Sequence, residues 1–392
     1  MTAGCGSHGA AQELAKSPGK AVLWSLPMLA LTLFMFFGQG GIPKDPLRAI
    51  PFFFTLILVN VLFYLMIRTG KTDRYRAVFF IMMAVLFVIS FLAHFQEERG
   101  SMALTPGEEI KGRTPFCHIV IPATIIPAAL SRTIIFPGSI LGPYSIASMI
   151  ALWLGASLAL GRGFCSWGCF FGGIEDGFSR VRRKPWIRKI AERWTYLPYA
   201  ILVVVVVMSA VLLSPFYCEW LCPFKTVTEY FEVNSFERIL QAILFVRLFA
   251  GLVVVLPILS RRRTQCGLFC PMGAFQSFTN KLNPFEIVIA RDQCKDCDQC
   301  IRACPTFSLD EKSVALGRTR ISCMKCGKCA DECPTGAISY HIKGTRPQWK
   351  PARARMLFLY PAYLFLTVFG GGMVQDGLYR ILLLVTTGSM IK

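Results

Sequence analysis

Apolar runs of membrane-spanning length recur along this chain, with polar and charged stretches between them. A bilayer core about 30 Å thick takes about 20 helical residues to cross. The runs carry few charges over that length, so the pattern predicts an α-helical integral membrane protein. The seven predicted spans are Ala21–Phe37, Ala49–Ile67, Ala77–Gln96, Ser139–Leu160, Leu197–Leu213, Ile239–Ser260 and Met356–Phe369.

The charges in the connecting segments predict how these spans are oriented. Loops on the cytoplasmic side of a membrane carry an excess of Lys and Arg. Seven crossings that start from a cytoplasmic N-terminus place every strongly basic segment in the cytoplasm. The basic segments are Arg68–Arg76, Gly161–Tyr196, Arg261–Arg263 and Lys343–Arg355, and the segments richer in Glu are Gln96–Thr114 and Ser214–Arg238.

One further apolar stretch, Phe116–Leu130, does not fit as a span. It contains Pro122 and Pro127 and is followed by Arg132. A crossing here would move the basic segment Gly161–Tyr196 to the outside. We therefore predict a re-entrant or outer-surface segment, which is tolerated at membrane depth where other parts of the protein bury it.

The composition agrees with a membrane protein. Of the 392 residues, 54% are hydrophobic and only 17% are charged, whereas soluble domains contain about 25% charged residues. A disordered chain is excluded as well, because it needs low hydrophobicity and high charge. The formal charge of +19 is explained by basic cytoplasmic loops, so we expect a lipid bilayer and no nucleic acid as partner.

A polar stretch near the C-terminus carries the clearest chemical motif. Four cysteines with the spacing C-x2-C-x2-C-x3-C-P occur twice, which is the run found in bacterial ferredoxins. In such runs the fourth cysteine binds the other cluster, so two [4Fe–4S] clusters with exchanged ligands are predicted. The first would be held by Cys294, Cys297, Cys300 and Cys333, and the second by Cys323, Cys326, Cys329 and Cys304. Two complete repeats favour this over a pair of zinc knuckles.

Three C-x3-C pairs follow predicted helices, namely Cys165/Cys169, Cys218/Cys222 and Cys266/Cys270. The turn after each pair offers free N–H groups to an anionic centre. A cubane cluster needs four ligands, so two pairs must combine. Because Cys165/Cys169 and Cys266/Cys270 both follow spans that end in the cytoplasm, we predict that these four cysteines bind a third [4Fe–4S] cluster at the inner membrane face.

The remaining pair, Cys218/Cys222, is predicted at the outer face. Cys117 is expected on the same side, and with His118 or a water molecule it could complete an outer cluster. A disulfide or a redox-active thiol pair is the alternative, because the outer compartment is oxidising. Cys5 lies in the N-terminal tail and is expected to be unligated.

Two polar residues in predicted spans are candidates for a quinone site or for charge compensation. Arg247 lies midway along the sixth span, where a charge is costly and usually functional. Its alternative is an ion pair with a neighbouring helix. His94 ends the third span, and an interfacial polar role is its alternative. A haem between His94 and His118 would rest on two isolated histidines and is not predicted.

The order of these motifs resembles the NosR/NapH-type membrane-bound polyferredoxins. The segments that carry the resemblance are Gly161–Cys169, Cys218–Pro223, Cys266–Phe275 and the two ferredoxin repeats, about half of the chain from Leu158 to Ile342. Phe170 replaces the Pro that usually follows the first pair, and Phe224-Lys225 replaces Ala-Gly or Val-Gly. The resemblance implies membrane electron transfer, often from quinol, to a partner such as a ferredoxin, a cytochrome or a reductase subunit.

The sequence thus predicts about seven transmembrane helices, one re-entrant segment and an inserted α+β ferredoxin-like module with two clusters. The expected function is electron transfer through [4Fe–4S] clusters in a bacterial or archaeal inner membrane, as part of a quinol dehydrogenase-like oxidoreductase. The alternative is a maturation or regulatory protein that reduces or senses a metal or thiol. The predicted parts are a cytoplasmic tail (1–20), a transmembrane domain (21–260), a cytoplasmic region (261–352) with the module at about 284–342, and a C-terminal helix and tail (353–392).

Overall fold

The computed structural model describes residues 16–38, 41–97, 117–132, 146–187, 190–228, 235–345 and 351–391. Most of these residues are helical, and two short strands form the sheet. Upstream of the sheet the helices are α1 (Pro18–Gly38), α2 (Pro46–Thr69), α3 (Thr72–Glu97), α4 (Ile121–Ser131), α5 (Ile146–Ala159), α6 (Phe164–Trp167), α7 (Phe170–Ser179), α8 (Leu197–Leu212), α9 (Lys225–Thr228), α10 (Phe236–Leu248), α11 (Leu256–Ser260), α12 (Thr264–Leu268) and α13 (Pro271–Thr279). The strands are β1 (Phe285–Ile289) and β2 (Ile338–Ile342), with α14 (Gln299–Ala303), α15 (Glu311–Ala315) and α16 (Lys328–Asp331) between them, and α17 (Pro351–Thr387) follows.

Six helical segments among the described residues are long and apolar enough to cross a membrane. They are Pro18–Gly38, Pro46–Thr69, Thr72–Ala93, Glu192–Leu212, Phe236–Ser260 and Pro351–Thr387. In the fifth of these, a π-helical turn at Phe249–Val255 joins α10 to α11. The predicted span Ser139–Leu160 corresponds to α5, and the chain bends by 107° between Ala147–Ala159 and Gly161–Trp167. The start of that predicted span lies outside the described residues.

The stretch Phe116–Leu130 forms a 3₁₀ turn, His118–Val120, that leads into α4. Its first residue lies outside the described residues. Eleven helical residues extend about 16 Å at 1.5 Å per residue, which is too short to cross a bilayer. Pro122 occupies the first turn of α4, where a missing N–H removes no hydrogen bond. This segment packs against α8.

The last helix, α17, is 37 residues long and extends well beyond the predicted core Met356–Phe369. The charged residues Asp376 and Arg380 interrupt the apolar pattern, but they form an ion pair at 3.6 Å one turn apart. Helix α17 packs along α3, and Gly377 lets the two backbones approach closely. A Cβ atom at that glycine would lie 2.5 Å from the carbonyl oxygen of Leu86.

The two strands pair antiparallel, from Phe285 opposite Ile342 to Ile289 opposite Ile338. Together with α14–α16 they form the ferredoxin-like module, residues 284–342. The module is anchored to the helical domain through aromatic stacking, because the ring of Phe358 on α17 lies 5.0 Å from the ring of Tyr340. Lys325 of the module donates from Nζ to the carbonyl oxygen of Leu160 at 3.2 Å. We call the end of the helical domain that carries these contacts the module side.

Candidate iron–sulfur centres

The first set of cysteines in the module lies around α14, and we call it centre 1. Cys300 lies on α14, and Cys333, Cys294 and Cys297 lie near enough to interact with it electrostatically. Cys333 comes from the second repeat and follows α16. The structure therefore places three cysteines of the first run together with the last cysteine of the second run.

The second set, centre 2, lines a cavity inside the module. The cysteines at the wall of this cavity are Cys304, Cys323, Cys326 and Cys329. Cys304 belongs to the first run, so the two repeats exchange their last cysteines in the structure. The backbone N–H of Ser308 donates to Sγ of Cys304 at 3.2 Å. Cys329 has both Cys323 and Cys300 as electrostatic neighbours, so centres 1 and 2 are adjacent.

Three cysteines of centre 2, Cys304, Cys326 and Cys329, are buried, and the other cysteines of the module are half-buried. Among the described residues, no group of three or more His, Cys, Asp or Glu side chains converges closely enough to hold one metal ion. A zinc knuckle would need four ligand atoms about 2.3 Å from the metal. Burial raises the pKa of Cys326 to about 12, so this thiol stays protonated unless iron supplies the positive charge that stabilises a thiolate.

Centre 3 lies in the helical domain, where two C-x3-C motifs face each other. In each motif the first cysteine lies in a short helix and the second directly precedes the next helix. Cys165 is in α6 and Cys169 precedes α7, while Cys266 is in α12 and Cys270 precedes α13. The electrostatic neighbours of Cys169 include Cys165 and Cys270, and those of Cys266 include Cys169 and Cys270. The four cysteines therefore form one group.

Backbone and arginine donors surround this group. The N–H groups of Gly172 and Gly273 face Cys169 and Cys270 at the starts of α7 and α13. Arg263 is fully buried, and its Nη2 donates to Sγ of Cys266 at 3.1 Å and to the carbonyl oxygen of Cys165 at 2.8 Å. Such donors stabilise negative charge on sulfur.

Arg162 has the corresponding place on the other motif. It is 1% exposed, donates to the carbonyl oxygen of Cys266 at 2.9 Å and lies next to Cys165. Each arginine lies three residues before a first cysteine, in Arg162-Gly-Phe-Cys165 and Arg263-Thr-Gln-Cys266. Sequence reasoning missed both arginines, although this repeated offset was a signal that could have identified them.

Centre 4 consists of Cys117, Cys218 and Cys222. The electrostatic neighbours of Cys218 include Cys117 and Cys222, and Cys222 in turn influences Cys117. Cys222 ends the π-helical turn Tyr217–Leu221 and accepts from the backbone N–H groups of Phe224 and Lys225. All described cysteines are free thiols, so the structure contains no disulfide between Cys218 and Cys222.

Centre 4 lies next to centre 3. Cys270 is an electrostatic neighbour of Cys222, and Tyr217 lies beside Cys270, Cys222 and Cys218. His118, which follows Cys117 in the chain, places Nε2 at 3.1 Å from Sγ of Cys169. The chain therefore connects the two centres directly at Cys117 and His118.

The other predicted site residues lie apart from these groups or cannot be described. Arg247 is exposed on α10, whereas the buried charged groups beside the cysteines of centre 3 are Arg162, Arg263 and Glu175, which accepts from the backbone N–H of Cys266 at 3.1 Å. His94 lies in α3, at a position whose side chain is outside the described residues. Cys5 is also outside the described residues.

Comparison with known proteins agrees with the cysteine motifs. Two sequence models, each described as a 4Fe-4S binding domain, match the chain. One matches three times, at residues 141–189, 194–238 and 242–287, and so includes each of the three C-x3-C motifs once. The other matches residues 322–339, in the second ferredoxin repeat.

Relatives among characterised and uncharacterised proteins share about two fifths of the chain. An uncharacterized protein of Methanocaldococcus jannaschii is 27% identical over 40% of this chain and 66% of its own length. Protein NirI of Paracoccus denitrificans is 31% identical over 41% of this chain and 24% of its own. The ferredoxin-type protein NapH of Escherichia coli is 30% identical over 38% of this chain and 49% of its own.

The matched segments thus span less than two thirds of each of these relatives. No solved structure gives a significant match to the chain. The domain matches cover segments that contain cysteine motifs, and together with the relatives they indicate an iron–sulfur electron transport protein. Over its cysteine motifs the chain is similar to the NosR/NapH-type membrane-bound 4Fe-4S ferredoxin proteins.

Proposed function

We propose that this protein passes electrons between a quinol or a cytoplasmic ferredoxin-type donor and a partner redox protein through four [4Fe–4S] clusters. Centres 1 and 2 would each hold one cluster in the module, centre 3 would hold one through Cys165, Cys169, Cys266 and Cys270, and centre 4 would hold one with Cys117, Cys218 and Cys222 as ligands. A bound [4Fe–4S] cluster supplies reversible one-electron transfer. The supporting observation is that each group of cysteines is connected to the next, either directly or through one arginine.

The contacts between neighbouring groups support this series. Cys300 of centre 1 lies beside Cys329 of centre 2. Between centres 2 and 3, Arg76 lies beside Cys326 and donates from Nη1 to the carbonyl oxygen of Ser166 at 2.8 Å. Centres 3 and 4 approach each other at Cys270 and Cys222. A series of this kind keeps each electron step short.

Centre 3 is joined to the module by direct contacts. The backbone N–H of Arg263 donates to the carbonyl oxygen of Pro305 in the module at 2.8 Å. Asn280, which follows α13, donates to the carbonyl oxygens of Ile321 and Cys323 at 2.6 and 2.8 Å. Centre 4 is the neighbour of centre 3, and electrons would cross the membrane through these two centres. The N-terminus and the module would be cytoplasmic, as the basic loops indicate.

The protein's own groups would prepare these sites for anionic clusters. The buried guanidinium groups of Arg162 and Arg263 offset the charge that thiolates and an added electron bring into a medium of low dielectric constant. Trp167 is fully buried between the module and centre 3, where its Nε1 donates to the carbonyl oxygen of Lys325 at 3.2 Å. Such packing excludes water from the path.

The proposal is tested by replacing both Cys218 and Cys222 with serine in the full-length protein. We expect the purified variant to lose one cluster's content of iron and to stop transferring electrons across the membrane of proteoliposomes, while the EPR signals of the module remain. Cys5→Ser is the control and should keep the wild-type iron content. An unchanged iron content in the double variant would overturn the fourth cluster.

A further inference from the structure

The middle C-x3-C motif differs from the other two at the two positions that shape centre 3. The first and third motifs share the pattern R-x2-C-x3-C-x2-G, with Arg162 and Gly172 in one and Arg263 and Gly273 in the other. In the middle motif the same positions are Pro215 and Lys225. The middle motif therefore lacks both the arginine and the glycine.

The arginine matters because each of the two similar motifs donates hydrogen bonds to the backbone of the other. Arg263 of the third motif reaches the carbonyl oxygen of Cys165 in the first, and Arg162 of the first reaches the carbonyl oxygen of Cys266 in the third. Gly172 makes room for this contact, since a Cβ atom there would lie 2.0 Å from Nη2 of Arg263. Two matching motifs thus supply four thiols to centre 3.

No other C-x3-C motif remains to supply the middle motif with two further cysteines. Of the 16 cysteines in the chain, eight belong to the module and four to centre 3, and Cys117, Cys218 and Cys222 account for all of the rest but Cys5. Within the part of the chain that the structure describes, centre 4 therefore contains three cysteines. The imidazole Nε2 of His118 is directed at Cys169 of centre 3.

Charge and exposure at centre 4 indicate what could take the fourth position. An oxidised cubane carries two positive charges, so three thiolates leave it one negative charge short of a ferredoxin cluster. Lys225 lies beside both Cys218 and Cys222. The carboxylate of Glu219, which accepts from Oγ of Ser214 at 2.9 Å, lies beside Cys218. The missing thiolate charge therefore favours an anionic donor. Cys117 and Cys218 are only half-buried, so such a donor could reach the centre from one side.

We propose that the cluster of centre 4 has one iron without a protein thiolate, and that this iron binds a small anionic ligand from outside the chain, of the thiolate class. This inference rests on the proposed function, because it requires a cluster at centre 4. The ligand donates an electron pair to iron, and no electron is transferred in the binding step. Centre 4 would then be a binding site as well as the last electron carrier.

The test uses the full-length protein with its clusters loaded, and its readout is EPR spectroscopy. Ferricyanide removes one electron from a cubane with three thiolates, the unligated iron leaves as Fe²⁺, and a [3Fe–4S]⁺ cluster remains. We expect one such signal per chain in the wild type and none in the variant Cys218→Ser/Cys222→Ser. Cys304→Ala is the positive control, because it leaves centre 2 with three cysteines and should add a second signal.

Ligand binding is probed with 2-mercaptoethanol as the added thiol. We expect it to shift the EPR spectrum of one reduced cluster in the wild type and none in the Cys218/Cys222 variant. The absence of both the [3Fe–4S]⁺ signal and the shift would overturn the proposal. It would also be overturned if Cys5→Ser, Glu219→Gln or His118→Phe altered the centre 4 spectrum as loss of a ligand does, since the chain would then supply the fourth ligand itself.

The two proposals fail differently in these measurements. If the Cys218/Cys222 variant keeps all its iron, no cluster is present at centre 4 and the proposed function fails with it. If that variant loses one cluster but the wild type forms no [3Fe–4S]⁺ and does not respond to the thiol, the fourth cluster stands and only the open iron is wrong.

Discussion

The carboxylate of Asp331 in the module accepts hydrogen bonds from the backbone N–H groups at the start of the membrane helix α3, from Thr72 at 2.9 Å and from Asp73 at 2.7 Å. The first N–H groups of a helix have no partner within it. A residue 259 positions away in sequence therefore supplies the cap of this helix. Burial raises the pKa of Asp331 to about 7, because water is excluded and Asp73 is close. This contact fixes the orientation of centre 2 relative to the helices.

Replacing Asp331 with alanine should weaken the attachment of the module. Loss of a helix cap costs about 1 kcal/mol, and the N–H groups of Thr72, Asp73 and Arg74 would all lose this partner. We expect faster proteolysis between the module and α17, and a lower midpoint of thermal unfolding. Asp331→Asn keeps one acceptor oxygen and should lose less. Equal stability of the alanine variant and the wild type would show that the contact does not hold the module.

The exchange of cysteines between the repeats can be tested with a matched pair of variants. Cys304→Ala should alter the EPR signal of centre 2, because Cys304 lines the cavity with Cys323, Cys326 and Cys329. Cys333→Ala should alter that of centre 1, because Cys333 lies beside Cys300. If each variant instead affected the cluster of its own run, the grouping in the structure would be wrong.

The predicted ligand sets of the module need only the cysteine spacing and one repeat, and the variants of Cys304 and Cys333 test them. The predicted pairing of Cys165/Cys169 with Cys266/Cys270 rests on the charges of the loops, which place both pairs on one side, and its cluster stays a prediction. The α+β character of the module was also predicted, and its two strands lie at Phe285–Ile289 and Ile338–Ile342. Most of the predictions therefore rest on patterns of residues that are close together in the sequence.

What the sequence did not reveal depends on contacts between distant residues. The contact of Arg263 with Cys165 spans 98 positions, and no periodicity reports it. Helix α17 continues past the predicted apolar run because Asp376 and Arg380 neutralise each other in an ion pair. The sequence pattern alone counts them as two charges that interrupt a span. The closeness of centres 3 and 4 follows from the packing of the segment at Cys117, whose two prolines had suggested only that it does not cross.

Removing the buried charge of Arg263 should lower the reduction potential of centre 3. Reduction adds negative charge, and the guanidinium lies 3.1 Å from Sγ of Cys266. We expect Arg263→Gln to shift the potential of one cluster downward in an EPR redox titration, while Arg263→Lys shifts it less. Arg247→Gln is the control, since Arg247 is exposed on α10. A shift in the control of the same size would point to a general effect of net charge.

His118 should set both the potential of centre 3 and the rate of transfer to centre 4. With Cys169 as a thiolate, the N–H at Nε2 of His118 donates to its sulfur, and hydrogen bonds to cluster sulfurs raise the reduction potential. The ring packs among the rings of Phe164, Phe170 and Phe171 at 5.2, 5.8 and 5.9 Å. His118→Phe therefore keeps the aromatic packing and removes the donor.

We expect His118→Phe to keep the full iron content, to lower the potential of centre 3 and to slow the oxidation of centre 3 by centre 4 in rapid-freeze EPR. His118→Gln retains an N–H donor and should lie between this variant and the wild type. Because Cys117 precedes His118 in the chain, the same short segment would hold centre 4 and tune centre 3. Loss of iron in His118→Phe would instead identify His118 as a cluster ligand, and an unchanged potential would show that the 3.1 Å contact does not act on the cluster.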